Sequence, residues 1–168
     1  IMDLASGPCR DIYELFIEMG SDARDAKFFC YENDENAIAF ARKLLKDKGN
    51  CVFIKENVVR LALKKNIETV VPERFDMIFS TGLFDYLDER ISTRLISNLK
   101  KLIKPDGLMV IANYMDKYCN HSIHFMEWVG DWNLVYRSEK EFKQIFLDSG
   151  FKDENISNAD KKATILDF

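Results

Sequence analysis

The sequence predicts an α/β domain in which a mostly parallel, doubly wound sheet carries helices on both faces. Two observations predict this fold. Short, continuously apolar segments recur along the chain, as is typical of strands buried on both faces. Segments with one-sided apolar spacing, typical of amphipathic helices, lie between them. Because strand and helix alternate, the strands are expected to be parallel.

The predicted strands lie at intervals along the whole chain. The first comes at the very start, where Ile1-Met2-Asp3-Leu4 has the composition of a strand end. The fifth follows Lys104-Pro105-Asp106-Gly107, a sequence that favours a turn. The strands after the first are Phe28-Phe29-Cys30-Tyr31, Cys51-Val52-Phe53-Ile54, Met77-Ile78-Phe79 and Leu108-Met109-Val110-Ile111-Ala112.

The predicted helices have one apolar side and begin at capping residues. Asp88 is the expected cap of the third helix, and Ser138 with Glu141 makes a capping box for the fourth, which Gly150 ends. The apolar sides of the first three helices are Ile12, Leu15, Phe16 and Met19, then Ala37, Ile38, Ala41, Leu44 and Leu45, then Ile91, Leu95, Leu99 and Leu102.

Length and composition predict a single domain over residues 1–168. The chain has 168 residues, of which 47% are hydrophobic, and a chain of this size buries about 70% of its unfolded surface. Its 24 basic and 28 acidic side chains are spread along the sequence and give a net charge of -4. This charge pattern disfavours nucleic acid or a membrane surface as a partner.

The sequence predicts a cytoplasmic protein with no membrane span. No apolar run reaches the about 18 to 20 residues that a spanning helix needs, and the start lacks the features of a signal peptide. The four cysteines, Cys9, Cys30, Cys51 and Cys119, are far apart and form no Cys-x-x-Cys pair. This spacing predicts reduced thiols, with neither a zinc site nor a disulfide framework.

Two irregular features stand out against this pattern. The chain begins inside its first strand, so we expect N-terminal sequence to be missing. Residues 115–137 form a long, aromatic-rich insert between the fifth strand and the fourth helix. Connections of this length inside a domain are usually functional or mobile, so the insert is expected to lie near a binding site.

The first strand leads through the small-residue loop Ala5-Ser6-Gly7-Pro8-Cys9 into a helix. Small residues let backbone amides approach an anionic ligand at a helix N-terminus, although a tight structural turn has the same composition. Arg10 favours a ligand, because a cation in the first turn opposes the helix dipole unless an anion is near, but Asp11 can supply that anion. The loop alone leaves both interpretations open.

The second strand ends at Glu32, 25 positions after Gly7. A carboxylate at this strand end is where doubly wound folds bind ribose hydroxyls, and helix capping by Asp34 does not account for Glu32. A full dinucleotide fingerprint needs Gly-x-Gly-x-x-Gly, whereas this loop has a single glycine. A nicotinamide or flavin enzyme is therefore disfavoured.

Ordered segments of the chain resemble the motifs of the class I S-adenosylmethionine-dependent methyltransferases. Asp3-Leu4-Ala5-Ser6-Gly7-Pro8-Cys9 is similar to their glycine-rich first motif, with Pro8 or Cys9 in place of a second glycine. Glu32 matches the acidic ribose ligand, and Leu102-Ile103-Lys104-Pro105-Asp106-Gly107-Leu108 resembles the Leu-x-x-Lys-Pro-Gly-Gly signature. Two further segments resemble the third and fourth strands of the family: Glu56-Asn57-Val58 and Phe75-Asp76-Met77-Ile78-Phe79-Ser80.

This resemblance covers nearly the whole chain and implies a Rossmann-like sheet of seven strands. It implies S-adenosylmethionine as cofactor and S-adenosylhomocysteine (SAH) as product. Asp3 and the amides of the first loop would hold the methionine end near the Ser80 carbonyl, and Glu32 would bind the ribose. Asn33 would face the adenine, whose edge Asn57 and the Val58 amide would bond. With Arg10 from the loop, the expected cofactor-binding residues are Asp3, Ala5, Ser6, Gly7, Arg10, Glu32, Asn33, Asn57, Val58 and Ser80.

Two later segments resemble a narrower bacterial subgroup, the methyltransferases of hydroxy-fatty-acid methyl ester (extracellular factor) biosynthesis. They are Gly82-Leu83-Phe84-Asp85-Tyr86-Leu87 and the stretch from Met126-Glu127-Trp128 to Asp131-Trp132-Asn133-Leu134-Val135-Tyr136-Arg137. The likeness implies O-methylation of a small carboxylate such as a hydroxy fatty acid. A carboxylate nucleophile needs no general base, so the lack of an obvious base is compatible with activity.

Asp85 and Tyr86 are the candidate substrate-positioning residues, since they follow the fourth strand at the ligand-binding edge. The alternative is that Asp85 caps a turn and Tyr86 packs. Trp128 and Trp132 are expected to share a helix face and pack in the core, with a stacking platform as the alternative. Two further interpretations are open: Cys9 as a small loop residue or a reactive thiol, and His121-x-x-His124-x-x-Glu127 as a metal site, for which no helix is established. No metal is predicted.

The preferred function is therefore a small-molecule methyltransferase. A noncatalytic methyltransferase-like binding or regulatory module is the alternative, because the first motif is depleted in glycine and the N-terminal cover is absent. A methyltransferase of nucleic acid or protein is a third interpretation, and the net charge disfavours nucleic acid.

Overall fold

The computed structural model describes residues 1–20, 23, 25–114 and 123–158. Within them, five parallel strands form one sheet in the order β3-β2-β1-β4-β5. The strands are β1 (Met2–Leu4), β2 (Lys27–Glu32), β3 (Asn50–Lys55), β4 (Phe75–Ser80) and β5 (Ile103–Ile111). The expected parallel sheet is confirmed, but the described residues contribute five strands to it and not seven.

Six α-helices lie between and after these strands in the described part of the chain. They are α1 (Arg10–Met19), α2 (Glu35–Leu44), α3 (Val58–Leu63), α4 (Glu89–Lys100), α5 (Ile123–Trp128) and α6 (Glu139–Asp148). The predicted caps are present: Asp88 accepts from the amide of Ile91 at 2.7 Å, and Ser138 and Glu141 form the reciprocal capping box of α6. The helix α3, which apolar spacing did not predict, begins at the capping residue Asn57.

The helices cover both faces of the sheet, so the doubly wound arrangement is confirmed. On one face, α1 and α2 bury Ile12, Phe16 and Ala41 against Phe28 of β2. On the other face, α3, α4 and α6 pack on side chains of β1 and β4 in a larger core that includes Met2, Leu4, Leu61, Ile78, Leu95, Leu99 and Ile145. Alternation along β1 sends Met2 and Leu4 to this second face and Asp3 to the first.

The segment Lys104-Pro105-Asp106-Gly107 was expected to be a turn before the fifth strand, and it lies inside β5 instead. Asp106 has a left-handed φ of 63°, and the pairing of β4 with β5 shifts register between Phe75 and Met77. The turn-forming residues therefore make a bulge in a longer strand.

The strand order reverses at β1, which pairs with both β2 and β4. Ligands of open α/β sheets bind in the crevice at such a switch point, beyond the carboxyl ends of the strands. The loops after β1, β2 and β4 meet there. No helix that the structure describes has the length and apolarity to cross a membrane.

Candidate functional site

The loop after β1 is held open by three residues in left-handed conformations. Ala5, Gly7 and Cys9 have φ angles of 57°, 51° and 54°. A Cβ atom at Gly7 would meet no atom within 4 Å, so the space over this backbone is free of protein. Gly7 donates its amide to Glu32 Oε2 at 2.8 Å, which fixes the loop against the end of β2. We call residues 5–9 the cradle, because a ligand can approach the backbone of this loop closely.

Glu32 connects two loops at the switch point. Its Oε1 accepts hydrogen bonds from the amides of Asn33 at 2.7 Å and Asp34 at 2.9 Å, while Oε2 accepts from Gly7. Three backbone donors hold the carboxylate in one orientation at the end of β2. Oε2 accepts this one bond, and a carboxylate oxygen has about two lone-pair sites, so it can also accept a hydroxyl.

Asp3 is a buried carboxylate with an unsatisfied oxygen. Its side chain is 1% exposed, and its Oδ2 has no hydrogen-bond partner. Burial, followed by the charge of Asp11, raises the pKa of Asp3 to about 9. The hydroxyl of Ser6 in the adjoining loop is also buried without a partner. Such groups are costly unless paired, so this end of β1 suits a cationic, hydrogen-bonding ligand.

Ser80 joins the end of β4 to the loop after β1. Its hydroxyl donates to the carbonyl of Leu4 at 2.7 Å, and its own carbonyl accepts from the amide of Ala112 at 3.0 Å. Ser80 is buried and therefore sets the distance between the two strand ends.

The remaining predicted cofactor residues lie around the same edge of the sheet. Asn57 Oδ1 caps α3 by accepting from the amide of Val59 at 2.9 Å, and Val58 is half-buried at the first turn of that helix. Asn33 and Arg10 are exposed at the start of the loop after β2 and of α1 respectively. The structure thus gathers the predicted set at one edge, and it gives Asn57 a capping role.

A cavity of about 360 Å³ adjoins the first loop. Ala5 lines it on one side, and the loop after β4 and the C-terminal part of the insert line the others. Its walls are mainly apolar and aromatic and include Leu83, Tyr86, Tyr114, Trp132 and Leu134. Both candidate substrate-positioning residues, Asp85 and Tyr86, border this cavity.

Asp85 is 3% exposed and anchors the connections around the cavity. Its Oδ1 accepts from Asn113 Nδ2 at 2.5 Å and from the amide of Tyr114 at 2.7 Å, and its carbonyl accepts from the amide of Val135 at 2.7 Å. Burial raises the pKa of Asp85, and the bonds from Tyr114 and Asn113 oppose that rise. Asp85 therefore positions the cavity wall through bonds to backbone and amide groups.

Arg137 supports the loop after β4, which lines the cavity, and no sequence pattern predicted this role. It is 6% exposed, and its guanidinium donates to the carbonyl of Phe84 and to Asn113 Oδ1, both at 2.7 Å, and to the carbonyl of Leu87. One arginine thus satisfies two backbone carbonyls that follow β4. No local pattern marks it, because its partners are about 50 residues away in sequence.

The expectation that Trp128 and Trp132 pack in the core from one helix face is wrong. α5 ends at Trp128, and Asp131 takes a left-handed φ of 46°, so Trp132 lies beyond the helix. Trp128 is 80% and Trp132 44% exposed. Trp132 Nε1 donates to the hydroxyl of Tyr86 at 2.5 Å, which joins the insert to the loop after β4.

Two expectations from the sequence concern metal ligands: the His121-x-x-His124-x-x-Glu127 pattern and the cysteines. His121 of the His121-x-x-His124-x-x-Glu127 pattern lies outside the described residues, as does the insert from 115 to 122. The prediction of reduced thiols without a zinc site came from the distance of the cysteines in sequence. In the fold, adjacent strands and the start of α1 bring Cys9 and Cys30 together beneath the first loop, with Cys51 beside Cys30.

The family of the chain follows from its sequence as a whole. Residues 1–161 match the family model described as "Methyltransferase domain". The chain belongs to this methyltransferase-domain family. The sequence-based expectation of an S-adenosylmethionine-dependent methyltransferase is therefore confirmed at the level of the family, and the narrower hydroxy-fatty-acid subgroup is not.

Solved structures of methyltransferases share the fold. Magnesium protoporphyrin IX methyltransferase from Synechocystis, with bound SAH, is 14% identical at a TM-score of 0.61, covering 90% of this chain and 63% of its own. CalO1, a methyltransferase in calicheamicin biosynthesis, also with bound SAH, is 11% identical at 0.61, covering 89% and 42%. TehB from Haemophilus influenzae is 20% identical at 0.57, covering 87% and 44%.

These likenesses establish the fold, and this methyltransferase domain spans less than two thirds of the length of each of the three proteins. No curated protein matches the sequence significantly.

Proposed function

We propose that the chain is a small-molecule methyltransferase that binds S-adenosylmethionine across the carboxyl ends of β1, β2 and β4 and its methyl acceptor in the 360 Å³ cavity. The observation that carries the proposal is the position of Ala5, which belongs to the glycine-poor cradle and also lines the cavity. A cofactor on the cradle and an acceptor in the cavity would be neighbours.

The residues in and around the cradle fit the chemical groups of the cofactor. The unpartnered Oδ2 of Asp3 suits the α-ammonium of the methionine end, next to the unpartnered hydroxyl of Ser6. Glu32, held by three backbone amides, suits the ribose hydroxyls. The open space over Gly7 admits the ligand, and Asn57 with the Val58 amide lies where the adenine would extend.

In this reaction the residues of the chain align the acceptor atom with the methyl group of the cofactor. When bound, S-adenosylmethionine supplies a methyl group already activated by its sulfonium. Transfer then needs an acceptor atom in line with that methyl group. We assign this alignment to Tyr86 and Trp132, whose hydrogen bond closes one side of the cavity, and we assign Asp85 to holding that wall in place.

The acceptor that we favour is the carboxylate of an apolar acid, such as a hydroxy fatty acid. Aromatic and aliphatic walls suit an acyl chain, and exposed apolar residues of the insert, Phe125, Trp128 and Val129, offer further surface for it. A carboxylate is already ionised at neutral pH. This acceptor therefore agrees with the hydrogen-bonded state of Asp85, which does not need to remove a proton.

A turnover assay tests the proposal. The reduced protein is incubated with methyl-labelled S-adenosylmethionine and hydroxy fatty acids of increasing chain length, and methyl esters are identified by mass spectrometry. We expect ester formation that increases with chain length, with no product from the matched fatty amides. Products labelled at the hydroxyl oxygen would refute the carboxylate as the acceptor.

A noncatalytic binding module is the second candidate. The first loop has one glycine, and Cys9, in place of a second family glycine, takes a positive φ of 54°. Tight SAH binding with no transfer to any acid, in the full protein, would favour this module. Failure to bind SAH would refute both candidates.

A further inference from the structure

Three thiols and one carboxylate meet on the buried face of the sheet beneath the first loop. Asp3 and Cys30 are paired across β1 and β2, so their side chains point to the same face. Cys51 lies two residues before Phe53, the partner of Cys30 on β3, and therefore shares that face. Cys9 reaches the same place from the start of α1.

The donor atoms of this thiol cluster are close enough for a shared metal ion. A carboxylate oxygen of Asp3 and the sulfurs of Cys9 and Cys30 all lie within 4.8 Å of one another. In a tetrahedral zinc site, with bonds of about 2.0 to 2.3 Å, neighbouring donors are about 3.5 to 3.8 Å apart. A movement of about 1 Å would complete such a site. Cys51 lies beside Cys30, and its sulfur is not one of the three donors of this group.

The surroundings of the cluster favour a cation. Asp3, Cys9 and Cys30 are at most 1% exposed, and the second oxygen of Asp3 has no hydrogen-bond partner. A buried oxygen without a partner is costly unless a ligand bonds it.

Cys30 and Cys51 are too far apart along the sheet to form a disulfide readily. Cys30 and Cys51 are diagonal neighbours on adjacent strands, because Cys51 pairs with Phe28 and Cys30 with Phe53. Diagonal Cα atoms are about 7 to 8 Å apart, beyond the about 4.4 to 6.8 Å usual for a disulfide. A metal ion between two sulfurs does not require so short a Cα distance.

We propose that Asp3, Cys9 and Cys30 form a binding site for one soft divalent cation of the Zn²⁺ type, with Cys51 beside Cys30 as the nearest further thiol. Thiolate ligands select such ions over Mg²⁺ or Ca²⁺, and each thiol that binds, together with the carboxyl of Asp3, releases a proton to solvent. Asp3 then ligates the cation and is not free to pair with the ammonium of a cofactor. The inference that a bound cation prevents cofactor binding rests on the proposed function, whereas the inference of cation binding does not.

Titration with Cd²⁺ tests the site through its thiolate-to-metal ultraviolet absorption. The parent is the reduced Cys119→Ser chain, so that the fourth cysteine of the sequence does not contribute. We expect one Cd²⁺ per chain with a thiolate band. The test variant is Cys9→Gly, which is expected to fold because glycine is suited to the φ of 54° at this position.

In Cys9→Gly, Cd²⁺ affinity should fall by more than the about 10- to 100-fold typical of losing an outer-shell partner of a metal ligand. Asp3→Asn and Cys30→Ala should also weaken binding, with circular dichroism as the check on folding. Absence of a thiolate band in the parent would overturn the proposal. Parent-like Cd²⁺ affinity in folded Cys9→Gly would also overturn it.

Calorimetry with SAH tests separately whether a bound cation prevents SAH binding. Saturating Cd²⁺ should abolish SAH binding to the parent, and in Cys9→Gly the same loss of SAH binding should need a higher Cd²⁺ concentration, in proportion to the loss of Cd²⁺ affinity. Simultaneous binding of Cd²⁺ and SAH to the parent would overturn this inference. If SAH fails to bind without Cd²⁺, the proposed function fails, while the thiolate band still decides the metal site.

Discussion

Binding of SAH should release a proton from Asp3. In the free protein, burial raises the pKa of Asp3 to about 9, so this carboxyl is protonated at neutral pH. An ammonium placed against the unpartnered Oδ2 favours the charged carboxylate. At about pH 6.5 the α-amino group of SAH is itself protonated, because this pH lies below even the pKa of about 7.7 to 8.0 of a peptide α-amino group and SAH has a free carboxylate that favours the ammonium further. Each SAH bound at this pH should therefore release nearly one proton.

The matched perturbation is Asp3→Asn, which keeps the size of the side chain and removes the proton. The assay is calorimetry in several buffers of different ionisation enthalpy, where the slope of the observed enthalpy gives the protons released. The wild type should give a slope near one proton, and Asp3→Asn a slope near zero. Equal slopes for the two proteins would refute the role of Asp3 in binding the ammonium.

The same pKa shift predicts how stability depends on pH. The folded-state pKa of Asp3 lies above its unfolded value, so the native state holds a proton that the unfolded state has lost. Between the unfolded pKa of about 3.9 and the folded value, rising pH should lower the free energy of unfolding, by at most about 1.4 kcal/mol per pH unit from this group. Urea unfolding of Asp3→Asn should lack this contribution.

Three further substitutions test the cradle, the cavity and the wall. Gly7→Val should abolish SAH binding in calorimetry, because a β-branched residue is strained at a φ of 51° and its side chain fills the cradle; normal binding would make the loop only a turn. Trp132→Ala should raise the KM for the acceptor and leave SAH affinity unchanged, and equal loss of both would contradict separate sites. Arg137→Met leaves the buried carbonyls of Phe84 and Leu87 without their hydrogen-bond donor. Urea unfolding should therefore show a free energy of unfolding lower by about 2 to 5 kcal/mol, and a decrease below about 1 kcal/mol would refute the role of Arg137 in satisfying these carbonyls.

The sheet and the cofactor edge were predictable because their signals are local. Continuous apolar runs marked the strands, and capping residues such as Asp88 marked helix starts within one turn. Gly7 and Glu32 were predicted to lie at the same ligand-binding edge because a parallel sheet brings strand ends together, and a 2.8 Å hydrogen bond joins them there.

Other features depend on contacts that no local pattern contains. The thiol cluster arises from the register of three strands and the start of α1, although its cysteines are about 20 residues apart in sequence. Arg137 binds carbonyls of the loop after β4, which is about 50 residues earlier in sequence. The exposure of Trp128 follows from where α5 ends, which its apolar spacing with Trp132 did not indicate.

The central claim, that Glu32 binds a ribose at the switch point, is tested most directly by calorimetry with SAH. Glu32→Ala removes a charged acceptor that would bond a ribose hydroxyl through Oε2, at a cost of about 1.5 to 3 kcal/mol, which is about a 10- to 150-fold loss of affinity. The control is Glu35→Ala, an exposed carboxylate three residues along that pairs with Lys55. We predict wild-type affinity in the control and the stated loss in Glu32→Ala. Unchanged SAH affinity in folded Glu32→Ala, or no SAH binding by the wild type, would contradict the claim.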